Sequence, residues 1–182
     1  MTVPAVPLLP RSCGRIVLRK LRVADLERFQ AYRHDPDVGR FQGWSPQGDA
    51  VAREFLADMA HCEVLKNGAW TQLAIARDAD DALLGDLGIR LSDDGSEAEI
   101  GISLARESQG QGFAGDAVRG AFALVFEQTR ATHVVGVADA RNVACLRLLE
   151  RAGMRRVASV EAMFRGERCL EHTYRMDRAH SG

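Results

Sequence analysis

Apolar and polar residues alternate across Arg15–Arg22, with Ile16, Leu18 and Leu21 to one side and basic residues between them. That period-two pattern predicts a half-buried strand. From Ala24 to His34 the period lengthens, and Leu26, Phe29 and Ala31 or Tyr32 gather near one face. This predicts a helix with Asp25 as cap or first-turn acid, stopped by Asp35-Pro36-Asp37. A second helix is predicted over Gln47–Leu65, with Val51, Phe55, Met59 and Cys62 inward and Lys66-Asn67-Gly68 as a left-handed close. Three strands follow, Trp70–Arg77, Leu83–Leu91 and Ser96–Leu104, split by the polar turns Asp78–Asp81 and Ser92–Gly95. The main helix is predicted over Phe113–Thr129, where Ala114, Ala117, Val118, Ala121, Phe122 and Val125 recur at helical spacing. A short buried strand, Val134–Ala138, a helix, Asn142–Ala152, and a hairpin of Met154–Phe164 with Arg168–Met176 complete the chain.

A length of 182 residues with 46% apolar content predicts one domain with a sizeable core. Its net charge is −1 with both signs well mixed, so no basic face points to nucleic acid and no long apolar run points to a membrane. Residues 1–14 are expected to be a flexible tail, because Met1–Pro10 is Pro-rich and lacks the charged-then-apolar order of a signal peptide. A cytoplasmic setting follows, in which Cys13, Cys62, Cys145 and Cys169 are free thiols. No C-x-x-C and no pair of His at metal spacing occurs, so no metal site is expected.

The stretch Gln109-Gly110-Gln111-Gly112-Phe113-Ala114-Gly115 follows the strand Ser96–Leu104 and opens the main helix. Glycines let several backbone N–H groups converge on one point, and the helix dipole adds positive potential there. A diphosphate is the natural guest. Gly110, Gly112 and Gly115 also match G-x-G-x-x-G, and Asp139 ends the next strand, as in a dinucleotide-binding unit. Against that reading, Ala105–Ser108 separate the strand from the turn, and the earlier segments read as hairpins.

The same stretch carries Q-x-x-G-x-A, at Gln109, Gly112 and Ala114, and it is joined by Gly85-Asp86-Leu87-Gly88 and Ala98–Ile102. Downstream, Asn142-Val143-Ala144-Cys145-Leu146-Arg147-Leu148-Leu149-Glu150-Arg151-Ala152-Gly153-Met154 resembles the N-x-A-S-x-R-x-L-E-x-x-G-F run of the GNAT N-acetyltransferases, with Cys for Ser and Met for Phe. Arg15–Asp25 with Asp35-Pro36 resembles the family's opening, and the branch most similar is the RimJ/RimL type. The likeness covers residues 15–178 and implies an α/β domain. Its mixed, mostly antiparallel sheet of about seven strands is flanked by helices, and one parallel pair splays to admit acetyl-coenzyme A. The acceptor it implies is a primary amine, on a protein N-terminus or a small molecule, and it leaves a homodimer open.

By that resemblance, Ile102, Ser103 and Leu104 offer backbone contacts to the pantetheine arm. Gln109, Gly110, Gln111, Gly112, Phe113, Ala114 and Gly115 hold the diphosphate, and Asn142 and Cys145 also touch the cofactor. Gln111 is neutral where relatives are often basic, so Arg106 or Arg147 is a candidate for the missing charge. Asn142 also suits a helix N-cap. Cys145 stands where the pattern has Ser. A thiol is a weaker donor than a hydroxyl, but its ordinary pKa of about 8.5 is close enough to exchange a proton with a leaving thiolate. It is expected as a catalytic candidate, with an apolar filler as the plain alternative. Leu149 takes the place of the family's frequent Tyr, and Val157 that of a frequent Glu.

An alkylammonium must lose a proton before it can attack a thioester. Glu99 is the leading base, with Asp86 an alternative base or acceptor anchor and Glu171, His172 and Glu161 behind. Trp44, with Arg40 and Phe41, is expected to line the acceptor pocket beside Asp86 and Glu99. The departures at Cys145, Leu149 and Val157 keep a second class open: an acetyl-coenzyme A-binding sensor without catalysis.

Overall fold

In the computed structural model, which describes residues 8–179, one mixed sheet of eight strands organises the chain. In chain order these are β1 (Arg11–Cys13), β2 (Ile16–Lys20), β3 (Trp70–Arg77), β4 (Leu83–Leu91), β5 (Glu97–Leu104), β6 (His133–Asp139), β7 (Arg155–Phe164) and β8 (Glu167–Asp177). Their order in space is β1-β2-β3-β4-β5-β6-β8-β7. Every neighbouring pair is antiparallel except β5 and β6, which run parallel. The helices are α1 (Leu26–Arg33), α2 (Pro36–Gly39), α3 (Asp49–His61), α4 (Phe113–Gln128) and α5 (Val143–Arg151).

Two cores follow from the alternation of side chains across the sheet. On one face α4 and α5 bury Ala117, Val118, Val125 and Leu148 against Ile16, Leu73, Leu87 and Ile100. On the other, α1 and α3 bury Phe29, Tyr32, Ala52 and Leu56 against Ala74 and Leu83. The second face is covered over β2 to β4, whereas β7 at the far edge is exposed along most of its length. Arg19, Asp25 and Asp81 clamp β2 to the start of α1, with Arg19 giving two hydrogen bonds of 2.8 and 2.9 Å to the Asp25 carboxylate.

Three expectations change. The tail predicted to reach residue 14 gives way at Arg11, because Arg11–Cys13 pairs with Ile16–Leu18 as an extra edge strand. Residues 1–7 lie outside the described residues. The second helix is shorter than Gln47–Leu65, and its inward row is Ala52 and Leu56, while Val51 is 52% exposed. Two adjacent apolar rows exist on this helix. The one containing the small Ala52 lets the backbone approach the sheet closely, and Phe55 instead stacks on Phe29 with ring centroids 5.7 Å apart. Asp35-Pro36 ends α1 as expected but also starts α2, with the Asp35 carboxylate accepting the Asp37 N–H at 2.9 Å.

Candidate active site

The parallel ladder between β5 and β6 runs from Glu97↔His133 to Ile100↔Gly136 and stops. Beyond that point the two strands diverge, each still paired on its outer side. Hydrogen bonds at the strand ends fix which groups are left over. Ala105 N–H bonds the Leu84 carbonyl and Ser92 N–H bonds the Glu97 carbonyl. By alternation, the even-numbered residues Ile102 and Leu104 turn their N–H and C=O groups toward β6. Val137 turns both of its groups toward β5 and Asp139 its N–H, because Ala140 N–H bonds the Leu170 carbonyl on the outer side, while the Asp139 carbonyl accepts the Asn142 N–H at 2.8 Å. The gap is therefore walled by main-chain donors and acceptors that the sheet does not pair.

A cavity of about 110 Å³ occupies this gap, lined by Ile100, Gly101, Ile102, Val137, Asn142 and Cys145 among others. Ile102 lines the cavity and Leu104 turns its main chain toward the gap, but Ser103 does neither. Its backbone pairs with Asp86 on β4, and its buried hydroxyl accepts a hydrogen bond from Trp44 Nε1 at 3.3 Å. Two carbonyls at the gap are already met by side chains: Gln42 Nε2 donates to Ile102 at 3.1 Å and Gln109 Nε2 to Leu104 at 3.0 Å.

At the open end of the gap lies the Gly-rich turn. A short 3-10 turn, Arg106–Ser108, separates it from β5. Gly110 and Gly112 have φ of +71° and +88°, a left-handed backbone that glycine adopts without strain. Among the described residues, the N–H groups of Gly110 to Gly115 have no protein acceptor; the first bond of α4 runs from Asp116 N–H to the Gly112 carbonyl at 3.2 Å. Free donors at the start of a 16-residue helix make an anion cradle. Arg106 does not supply the charge that Gln111 lacks, being tied to Asp35 at 2.7 Å and to Asp37 at 2.5 Å, and Arg147 has no hydrogen bond to the turn among the described residues. Arg15 reaches the turn instead, donating from Nη2 to the Gln111 carbonyl at 2.5 Å and lying 4.8 Å above the Phe113 ring. The Asp116 carboxylate sits between Arg15 and Arg119, 3.6 and 2.5 Å away.

Asn142 and Cys145 both line the cavity, from the first turn of α5. Asn142 also caps α5, its Oδ1 accepting the Cys145 N–H at 3.2 Å. Burial pushes the Cys145 thiol up to about 11. The thiol is thus protonated at neutral pH, and the ordinary pKa that suggested proton exchange with a leaving thiolate does not apply. Leu149 is buried and closes the cavity where an acid is absent.

Asp86 is fully buried and saturated. It accepts from Tyr32 Oη, from Arg33 Nη2 at 2.7 Å and from Gln72 Nε2 at 2.5 Å. A carboxylate so enclosed is a structural anchor, neither a base nor an acceptor contact. Trp44 is likewise a pin, flat against Arg33 with 4.4 Å between guanidinium carbon and ring centroid. It holds the loop so that Phe41 and Gln42, not Trp44, face the cavity. Opposite them, the tip of the β7–β8 hairpin presents Phe164, and Arg165 Nη2 donates to the Gln42 and Trp44 carbonyls at 3.0 and 2.9 Å.

Glu99 is partly buried on the uncovered face of β5, beside the gap. Its pKa is raised, first by desolvation and then by Glu97 and Glu171, with Arg90 opposing. Glu171 lines the cavity itself. His172 points to the other face, held by Ser159 at 2.9 Å and Arg156 at 3.3 Å. Arg15, Gln42 and Arg165 carried no local signal. Each acts across 60 to 123 residues through a turn or loop whose path the sequence pattern does not reveal.

The family model for the acetyltransferase (GNAT) domain matches residues 15–155. A curated relative, the uncharacterized N-acetyltransferase p20 of Bacillus licheniformis, is 25% identical over 136 residues, spanning 74% of this chain and 76% of its own. Among solved structures, an acetyltransferase of the GNAT family from Bacillus anthracis aligns with a TM-score of 0.81 at 18% identity, covering 91% of this chain and 96% of that one. Spermidine N-acetyltransferase from Vibrio cholerae, in complex with CoA and spermine, aligns at 0.76 and 17%, covering 90% and 96%. These structural likenesses show a shared fold.

Proposed function

The chain belongs to the GNAT family of acetyltransferases, which use acetyl-coenzyme A, and we propose that residues 15–178 form one catalytic unit that acetylates a primary amine by direct attack in a ternary complex. One observation carries this reading. The only parallel pair of the described sheet parts beyond Ile100↔Gly136, directly beside a helix N-terminus with six free N–H groups. A nicotinamide dinucleotide would call for a doubly wound parallel sheet, and here the strands before β5 are antiparallel.

The residues present suit acetyl-coenzyme A. Gly110 to Gly115 and Arg15 hold the diphosphate, and the N–H groups of Ile102 and Leu104 with the main chain of Val137 meet the pantetheine arm as a short added strand would. Asn142 lines the same channel. Strand N–H groups facing the gap stabilise the oxyanion that develops on the thioester carbonyl. Glu99 is the base; its raised pKa lies closer to neutrality than that of an ordinary glutamate, which improves proton transfer. Cys145, protonated and buried, serves as a small apolar wall and a weak donor to the sulfur. No covalent acyl-enzyme is formed, since no base adjoins Cys145 among the described residues. The run Asn142–Met154 favours the RimJ/RimL-type branch within the family.

Release of free coenzyme A, followed with a thiol reagent while acetyl-coenzyme A is mixed with a panel of primary amines, tests the proposal. Amine-dependent release is expected. If acetyl-coenzyme A binds and no amine speeds thiol release, the protein is instead a sensor of the cofactor.

A further inference from the structure

We propose that Glu171 receives the acceptor's ammonium group at the mouth of the gap and that Glu99 takes its proton, which fits the site to an unbranched primary alkylamine with no second positive charge. The inference rests on the acetyl-transfer reading above and adds to it the group that binds the acceptor.

The register of the sheet sets the two carboxylates on either side of the opening. On the face left free of helices, Glu99 lies opposite Val135, one step before the ladder ends, and Glu171 lies opposite Asp139, beyond it. Between them come Gly101 and Val137. Gly101 has no side chain, and a Cβ built there would meet nothing within 4 Å, so the space between the carboxylates is open. Glu171 borders the cavity directly.

Charge pairing singles these two out. Around them Glu97 bonds His133 at 2.6 Å, Arg175 and Arg155 both hold Asp177 at 2.6 and 2.7 Å, Asp139 holds Arg141 at 2.7 Å, and Arg90 approaches Asp93 at 4.0 Å. Glu99 and Glu171 have no ion pair or side-chain hydrogen bond among the described residues. Two partly buried carboxylates that repel each other are stabilised by a cation placed between them. The walls beyond the carboxylates are Phe41, Phe164 and Val137, suited to a methylene stem. Farther out lie two arginines. Arg40 lies over Phe41 without a carboxylate partner among the described residues, and Arg165 holds carbonyls, while Arg141 is neutralised by Asp139 and Glu167. A second ammonium at the far end of the stem would meet Arg40 and Arg165.

The step balances with these groups. Glu99 breaks one N–H bond and becomes the acid. The freed nitrogen lone pair bonds to the acetyl carbon, and the C–S bond breaks with its electrons on sulfur. That sulfur takes the second proton from nitrogen, and Glu99 returns its own to water.

The test uses the full chain with glutamate carboxyls labelled by carbon-13, saturated with coenzyme A and titrated with n-butylamine hydrochloride at neutral pH. The Glu171 and Glu99 signals are expected to shift saturably, n-butanol to leave them unchanged, and 1,4-diaminobutane to bind more weakly than n-butylamine. Glu171→Gln should raise the apparent Kd for n-butylamine at least ten-fold, and Glu171→Asp should restore part of the loss. The charges facing Glu99 are Arg90 on β4, Glu97 on its own strand, and Glu171 and Arg175 on β8. Because Glu171 raises Glu99, the Glu99 titration midpoint should move to lower pH in Glu171→Gln, a change that lost packing would not produce. Unresponsive signals, an unchanged Kd in Glu171→Gln, or tighter binding of the diamine overturns the proposal. Coenzyme A binding is read separately from the Gly112 amide. Its failure removes the transferase reading, while the amine titration needs no turnover.

Discussion

At the residue scale the site depends on which polar groups are already taken. Arg15 has a side chain 61% exposed, yet its guanidinium is fixed by a ring and a carbonyl at the cradle. Replacing it by Gln keeps a donor for the Gln111 carbonyl and removes the charge. We expect Arg15→Gln to weaken coenzyme A binding by about five-fold at low salt and by less as salt rises, since one exposed charge contact contributes about 1 kcal/mol. Calorimetric titration at two ionic strengths checks this, and an equal loss at both would mean that Arg15 acts by shaping the turn. Cys145 is the converse case, a residue whose type suggests chemistry and whose surroundings withhold it. With its thiol pushed up to about 11, it forms thiolate only in strong base. Alkylation of Cys145 by iodoacetamide, mapped by mass spectrometry, should therefore stay slow below about pH 9. Cys145→Ala should keep turnover within a few-fold, whereas a loss of a hundred-fold would restore the thiol to a catalytic role.

At the scale of elements the sequence was most legible where pattern and neighbours agree. Trp70–Arg77 and Leu83–Leu91 are strands with the boundaries their alternation predicts, and the main helix begins at Phe113 as the Gly-rich turn before it implies. The cradle could be read because all its parts are local: strand, glycines, helix start. The loop and hairpin beside the gap could not, because Gln42 and Arg165 meet only through tertiary packing, and a buried Asp86 looks in sequence like any strand acid. Edge strand β1 was missed for a related reason, since three residues give too short a pattern to distinguish from a tail. Gly112 concentrates the demands of the cradle in one position. A side chain there must adopt φ of +88°, and its Cβ would stand 2.8 Å from Arg15 Nη2. Gly112→Val should cost about 1–3 kcal/mol of stability from backbone strain and abolish measurable coenzyme A binding, because the bulk sits among the free N–H groups. Thermal unfolding with and without coenzyme A separates the two effects: the melting temperature falls modestly, and the ligand-induced rise disappears.

For the molecule as a whole, two devices hold the Phe41–Gln42 loop against the strands of the gap, and they differ in what they should contribute. The first is internal. Asp86 in the sheet fixes Arg33 of α1, Arg33 lies against Trp44, and Trp44 donates to Ser103 on β5, so the helical layer and the gap strand share one network. The second is external. Arg165, at the exposed tip of the β7–β8 hairpin, ties the far edge of the sheet to the loop that carries Phe41 and Gln42. Removing half of a buried ion pair leaves the other charge uncompensated, which costs about 3–5 kcal/mol, whereas an exposed contact contributes well under 1 kcal/mol. Asp86→Asn should thus lower the melting temperature by about 10 °C. Arg165→Ala should leave it nearly unchanged and raise the KM for the amine several-fold, with the KM for acetyl-coenzyme A unaffected. The two variants sort stability from acceptor binding: the fold is held by a charge that never meets solvent, and the acceptor wall by one that the fold does not need. Equal melting temperatures for the two variants, or a raised KM for acetyl-coenzyme A in Arg165→Ala, would show that the hairpin tip supports the cofactor side as well.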